Sequence, residues 1–448
     1  MKCLRLLTVF AVFMTALLFG ISAAAAEDII GDANGDGIVD RSDILLLQQY
    51  LTAQTEKLTT SADMNMDGHI NAVDLTLLKR LLLPKREKAV LMVYLCGADL
   101  ETDNEEATAD FLEMQQAQLT DDLTLVVQTG GTEHWHTDGL TDGGNDRIVI
   151  SRNGTEIRNG TGDVRYMNQI ATLYDFITET TAEFPADHYG LVFWGHGTGS
   201  VFGVCYDFLS GQPMTLPNLH YALQEAGVHF DWIGFDSCLM ATAETAYAVH
   251  DYADYMIAST ESISSYGWDY TAFLSQWAQH PGMDPKALAD CITDEMIEVN
   301  RKHDLPATIS CYDLSRTDEL METLYAYIGT VYAQWQENGI EPILAARSRA
   351  VDFGQGVYDM TDLHSLVTVL ENRQSEAVAA AMQKMIVFNK SYRLDESSGM
   401  AVWFFEQHPE DGISLVSRMF TPIGIDRTYI SQLSEMSAAA YRFQKDAA

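Results

Sequence analysis

Two segments of this chain carry side chains suited to acyl transfer. In Leu191-Val-Phe-Trp-Gly-His196-Gly197 an apolar run leads straight into a histidine flanked by glycines, and in Trp232-Ile-Gly-Phe-Asp236-Ser-Cys238 another apolar run leads into a cysteine. The thiolate is the nucleophile, and a thiol that ionises near pH ~8.5 becomes reactive where an imidazole or a helix N-terminus favours the charged form. A helix predicted over 239–250 would begin at Cys238 and lend its terminus to that task. His196 would take the thiol proton and return it to a departing amine. Gly197 has no side chain to cover its amide, so its N–H and that of Cys238 could cradle the oxyanion of a tetrahedral intermediate. Each residue also has a plainer use: His196 in a turn, Cys238 as a small core residue, Asp236 as a cap on the next helix. Their placement at the ends of successive apolar runs favours the chemistry.

A different chemistry is repeated near the N-terminus. Stretches of twelve residues beginning at Asp32 and Asp63 share the pattern Asp-x-Asn-x-Asp-Gly-x-x-(Asp/Asn)-x-x-Asp. Calcium takes about six to eight oxygens, so a loop must aim oxygens inward from alternate positions around a sharp turn made by glycine. The first loop offers Asp32, Asn34, Asp36, the Ile38 carbonyl, Asp40 and Asp43, with Gly37 at the turn. The second offers Asp63, Asn65, Asp67, the His69 carbonyl, Asn71 and Asp74, with Gly68. Each loop ends in Asp where the EF-hand pattern has Glu, and each leads into one apolar helix, predicted over 44–51 and 75–83.

The elements that must position the histidine and cysteine follow from the rest of the chain. After Pro84 the charged segment Lys85-Arg-Glu-Lys88 reads as a linker. Apolar runs at 89–95, 123–128, 189–194, 232–235, 254–258, 307–312 and 400–405 read as strands, and 166–183, 216–226 and 239–250 as helices. Residues 131–164, rich in Gly, Asn, Asp and Thr, read as a loop or short hairpin. Strand and helix alternating at this spacing predict an α/β domain with a mostly parallel sheet flanked by helices. In such a sheet the carboxyl ends of the strands open onto the ligand crevice, where His196 and Cys238 would meet.

His-Gly after one apolar strand, followed about forty residues on by Asp-Ser-Cys after another, resembles the caspase-like (clan CD) cysteine peptidases, and the clostripain family in particular. The resemblance continues through Met240 and Glu244, Ala258-Ser-Thr-Glu261, Gly267-Trp-Asp-Tyr270, Tyr358-Asp-Met-Thr-Asp362 and Gly399 to Phe405. It implies a caspase-like fold, His196 and Cys238 as the catalytic dyad, and Asp236 on the floor of the pocket for the residue before the scissile bond. A carboxylate there implies cleavage after Arg or Lys. No Lys or Arg occurs between Tyr166 and Pro285, so an electronegative cleft would draw in cationic peptides. The same gap departs from family members that mature by cutting at a base between His and Cys. The resemblance also implies that this domain can hold a further calcium ion, with ligands that the sequence does not single out.

The tandem loop-helix unit, ending each loop in Asp, resembles a type I dockerin, the small all-α module that docks enzymes onto cohesin domains of cellulosome-type scaffolds. The resemblance spans 28–84 and implies two calcium ions. It also implies a cohesin-facing set of Arg41, Ser42, Gln48 and Gln49 in the first repeat and Ala72, Val73, Lys79 and Arg80 in the second. The two faces differ chemically, which speaks against binding in two equivalent orientations.

Lys2 and Arg5 before an apolar run from Leu6 to Ile21, ending in Ser-Ala-Ala-Ala-Ala, read as a cleavable signal peptide over 1–26. With no later run of membrane-spanning length, the expected location is outside the cell, on a scaffold or cell surface. A net charge of −37 disfavours nucleic acid as a partner. The five cysteines beyond the leader are odd in number and irregularly spaced, so at least one is unpaired. His134 and His136 flank Trp135 in a polar loop without the third ligand that zinc requires. The expected protein is therefore a scaffold-bound cysteine endopeptidase in domains 28–84 and 89–448. The alternatives are a catalytically silent peptidase-like adaptor and a dockerin-borne glycosidase, for which no carboxylate pair stands out.

Overall fold

Strand β1, Glu87–Cys96, has no polar face. Val90, Met92, Tyr94 and Cys96 enter one apolar core, and Ala89, Leu91, Val93 and Leu95 enter another. A strand buried on both sides belongs to a sheet covered on both faces. The computed structural model describes residues 29–82, 87–160, 164–407 and 412–447. The expected signal peptide lies outside these residues, as do positions 85 and 86 of the expected linker. The described residues separate into two units, divided after Pro84.

In the larger unit, β2 (Leu123–Gly130) pairs parallel with β1. The hairpin of β3 (Asp146–Ser151) and β4 (Gly154–Asn159) continues the sheet antiparallel, so the polar insertion contributes edge strands. On the other side of β1 lies β5 (Ala186–Trp194). β6 (Val204–Asp207) and β7 (Gln212–Met214) form a separate hairpin. β8 (Phe230–Asp236), β9 (Ala253–Ala258) and β10 (Ala307–Asp313) extend the main sheet. β11 (Asp352–Phe353) and β12 (Met360–Asp362) start a small three-stranded sheet. β13 (Ile386–Tyr392) edges the main sheet, and β14 (Ala401–Trp403) completes the small one. The main sheet runs β13-β10-β9-β8-β5-β1-β2-β3-β4, with β9, β8, β5, β1 and β2 mutually parallel.

Helices pack on both faces, as α/β architecture requires. Helix Leu216–Ala226 falls where it is expected: the Thr215 hydroxyl accepts the Asn218 N–H at its start, and Gly227 ends it at φ +62°. The helix expected over 239–250 is shorter, Ala243–Val249, and begins five residues after Cys238. Two features delay it. Leu239 adopts a left-handed φ of +64°, and Thr242 is the residue whose hydroxyl caps the Thr245 N–H.

The smaller unit consists of helices Arg41–Leu51 and Ala72–Leu82 around Ala33, Leu47, Ala62 and Leu78. Both begin three residues earlier than expected, because loop residues double as helix caps. Asp40 accepts the Ser42 N–H, and Asp43 reaches back to the Asp40 N–H.

Candidate active site

Parallel pairing sets Trp194 of β5 opposite Asp236 of β8. Two residues further along each chain, Gly195-His196-Gly197 lies beside Ser237-Cys238. The contact is backbone on backbone. The Gly195 N–H donates to the Asp236 carbonyl at 3.3 Å, and a Cβ on residue 197 would lie 2.0 Å from the Cys238 carbonyl oxygen. Only glycine fits there. The Gly197 amide also escapes the neighbouring bridge to β6, whose bonds run from Cys205 N to His196 O and from Thr198 N to Gly203 O.

His196, Cys238 and Asp236 line one cavity of about 250 Å³, with Glu106, Asp110, Trp194, Ile263 and Gly267 among its walls. Cys238 is half-buried. Burial pushes its thiol up, and the charges of Glu261 and Asp236 act in the same direction, against the Ile263 N–H, which donates to Sγ at 3.2 Å. The expectation of a helix terminus at the sulfur is corrected here. The next helix starts too late, so the facing loop, through the Ile263 amide and the Ser262 side chain, rather than a helix dipole, supports Sγ.

His196 Nε2 lies 2.7 Å from Asp99 Oδ1. Asp99 opens helix Ala98–Thr102, directly after β1, where Ala98 turns the chain at φ +47°. Sequence reading missed this carboxylate, although the signal was present. β1 neighbours β5, so residues just past its carboxyl end had to reach the same crevice.

Asp236 is not a helix cap. Its Oδ2 accepts the Trp268 N–H at 3.3 Å and the Tyr270 hydroxyl at 3.1 Å, and burial raises its pKa to about 7. Asp110, from helix Glu106–Gln116, was also missed. It accepts the Trp194 indole N–H at 2.6 Å, and burial together with the Asp236 charge keeps its pKa well above the usual carboxylate range. Gly267 abuts both carboxylates: a Cβ there would be 3.2 Å from each Oδ2.

The two calcium loops are built alike. Asp32 accepts the N–H groups of Gly35, Asp36 and Gly37, and Asp63 accepts those of Asp67 and Gly68. Asp43 and Asp74 are fully buried and each accepts two backbone N–H groups, from Asn34 and Asp40 and from Met64 and Asn71. Buried anions held in position beside further carboxylate and amide oxygens make a donor set suited to calcium. Asn34, Asp36, Ile38, Asp40, Asn65, Asp67, His69 and Asn71 complete the two turns, with Gly37 at φ +89° and Gly68 at +83°. Arg41, Ser42, Gln49, Ala72, Val73 and Arg80 are exposed, and Gln48 and Lys79 partly so. In the larger unit, His134 pairs with Asp142 and His136 with Glu105. Among the described residues of the larger unit, no cluster of three metal-binding His, Cys, Asp or Glu occurs. Cys96, Cys205, Cys238, Cys291 and Cys311 are all free thiols.

Fold and cavity are those of a cysteine peptidase. Residues 93–408 match the clostripain family, peptidase C11, and the chain belongs to that family. Residues 30–83 match the type I dockerin domain, a calcium-binding module. Among solved structures, the chain resembles an inactive zymogen C11 protease from Parabacteroides distasonis at 19% identity and TM-score 0.59, over 79% of this chain and 99% of that one. It also resembles a secreted C11 cysteine protease from Bacteroides thetaiotaomicron, in complex with an irreversible peptide inhibitor, at 18% identity and TM-score 0.56, over 76% and 100%. No curated protein matches the chain. Among the described residues, no helix is long and apolar enough to cross a membrane.

Proposed function

We propose that this chain is a secreted endopeptidase that cleaves proteins after Arg or Lys while its dockerin holds it on a cohesin-bearing scaffold. The domain plan is a cleaved leader 1–26, a dockerin 28–84, a linker 85–88 and a peptidase domain 89–448. The observation that carries the reading is the β5–β8 register, with His196, Cys238 and Asp236 around one cavity.

In the proposed mechanism His196 takes the proton from Cys238 as Sγ attacks the scissile carbonyl, and the new oxyanion points at the N–H groups of Gly197 and Cys238. With Nε2 held by Asp99, Nδ1 is the basic nitrogen. Collapse breaks the C–N bond as His196 protonates the amine, and water activated by the same imidazole then hydrolyses the thioester. Asp236 pairs with the cationic side chain before the cut.

The two loops hold one calcium ion each, through the twelve residues named above. Arg41, Ser42, Gln48 and Gln49, or Ala72, Val73, Lys79 and Arg80, meet the cohesin. A cleavage-site profile on a peptide library tests the whole reading. Cuts after Arg or Lys that vanish in both Cys238→Ala and His196→Ala are expected. Equal, negligible hydrolysis by the wild type and Cys238→Ala, with cohesin capture intact, would mean a silent adaptor.

A further inference from the structure

One acidic side chain suffices to recognise a cationic one, yet the floor of this cavity has two. Asp110 and Asp236 come from different elements, helix Glu106–Gln116 and the end of β8, and both line the cavity. Gly267 holds them together. Each Oδ2 lies 3.2 Å from the point where a Cβ on Gly267 would sit, so the two oxygens are no more than about 6.4 Å apart. Gly267 sits at φ +50°, and any larger residue would fill the space in front of the pair.

Neither carboxylate is consumed by a protein cation. Asp110 Oδ2 takes the Trp194 indole, and Asp236 Oδ2 takes the Trp268 amide and the Tyr270 hydroxyl, all neutral donors. The other titratable groups facing the pair are Glu106 and Glu113, on Asp110's own helix, which add negative charge, and His196 and Cys238, which line the same cavity from the ends of β5 and β8. Two buried carboxylates this close do not ionise together readily, because each charge raises the cost of the other.

We infer that Asp110 is a second specificity residue, which with Asp236 forms a two-carboxylate clamp that keeps one proton when empty and expels it when a guanidinium or ammonium group enters. This inference rests on the proposed cleavage after Arg or Lys and deepens it. A guanidinium carries five N–H donors in a planar fork and can bridge two carboxylates, restoring by pairing the balance that protonation keeps in the empty pocket. The proton leaves to solvent and the substrate's positive charge replaces it.

The test compares kcat/KM for one peptide with Arg before the scissile bond and for its isostere with citrulline, from pH 5.5 to 8.5. Taking the ratio cancels the titration of Cys238 and His196. In wild type the Arg/citrulline ratio is expected to climb with pH as Asp236 ionises, around 7. In Asp110→Asn the amide oxygen still accepts the Trp194 N–H, so the floor keeps its shape. The ratio should fall roughly tenfold or more at pH 8, because one carboxylate alone is left to pair with the guanidinium. An unchanged ratio and pH profile in Asp110→Asn, alongside a collapse in Asp236→Asn, would overturn the inference while leaving the reading of Asp236 intact. A wild type indifferent to citrulline would overturn both.

A second measurement does not depend on the variant folding. Calorimetric titration of the Arg peptide into full-length Cys238→Ala near pH 8, where Asp236 has ionised and Asp110 has not, in buffers of different ionisation enthalpy, should report release of about one proton, and the citrulline peptide none. No release with the Arg peptide would refute a proton kept by the empty pair.

Discussion

The His196 imidazole is held by Asp99, Nε2 to Oδ1, at 2.7 Å. The carboxylate follows the end of β1 and the imidazole the end of β5, so the bond is only as well placed as the parallel register between those strands. A carboxylate in this position fixes the tautomer and ring orientation of a catalytic histidine and stabilises the imidazolium formed during attack. Asp99→Asn should lower kcat by roughly ten- to a hundredfold with little change in KM, a smaller loss than for a fully buried triad aspartate because both partners remain about a third exposed. Steady-state kinetics on one peptide substrate decide it. A variant with wild-type kcat would leave Asp99 no part in orienting the ring.

The resting thiol behaves differently from that of an enzyme with a preformed ion pair. Burial, the Glu261 and Asp236 charges and the lack of a helix terminus all act against the thiolate at Cys238, and only the loop donors at 262–263 oppose them. A raised thiol pKa leaves the sulfur protonated at neutral pH, with the thiolate fraction growing as pH rises past the ordinary thiol range of ~8.5. Alkylation of Cys238 by iodoacetamide, followed by mass spectrometry on the free enzyme, should be slow at pH 7 and keep accelerating beyond pH 9. Peptide hydrolysis at pH 7 should nonetheless be efficient, because His196 removes the proton only as the carbonyl arrives. A plateau in alkylation below pH 7 would establish a standing thiolate and defeat this account.

The parallel core of the sheet was readable in the sequence because its strands are buried on both sides. Continuous apolar runs such as 89–95 and 189–194 have few other uses, and turn residues bound them. The fit of His196 beside Cys238 was readable for the same reason, since strand ends in one sheet share a crevice. Less legible was anything set by tertiary contact. Asp99 and Asp110 lie in a polar stretch after β1 with no motif of their own, and they matter only because β1 happens to pair with β5. The misplaced helix after Cys238 has a local cause. The apolar stretch from Leu239 resembles a helix face, but the left-handed turn at Leu239 and the cap at Thr242 defer it. β13 escaped notice because Ile386–Tyr392 is an edge strand with no fully buried face, so its pattern carries little hydrophobic signal.

Glu244 links the helix after Cys238 to the small sheet through the Trp403 N–H, which donates to Oε1 at 3.1 Å. Full burial raises its pKa to about 7, more strongly than the Trp403 N–H lowers it. A carboxyl whose pKa is higher folded than unfolded stabilises the fold below the unfolded value near 4.5, and this contribution is lost as pH rises through 7. The peptidase domain should therefore lose stability between about pH 4.5 and 7, with Glu244 responsible for roughly 3 kcal/mol of the decline. Glu244→Gln should flatten the dependence and raise the melting temperature at pH 8 relative to wild type. Calorimetric scans at pH 5 and pH 8 provide the check. A variant whose melting point falls in parallel with wild type would place the pH sensitivity elsewhere.

Calcium should govern the folding of the dockerin-like unit and leave the active site untouched. Asp43 and Asp74 are fully buried, and each is held by two N–H bonds beside further loop carboxylates, so with no cation these anions repel one another at close range. Because ligands gathered by folding bind metal that the unfolded loop binds poorly, calcium should act as part of the module's folding energy. At a hundredfold excess over its dissociation constant it should stabilise the module by ~2.7 kcal/mol per ion. The full chain should then show a separate, calcium-dependent unfolding transition, and its capture by immobilised cohesin should disappear in EDTA and return with calcium. The double variant Asp43→Asn and Asp74→Asn should abolish both effects while leaving the melting of the peptidase domain unchanged. Cohesin capture that survives chelation would rule out calcium as the staple of the anchoring module.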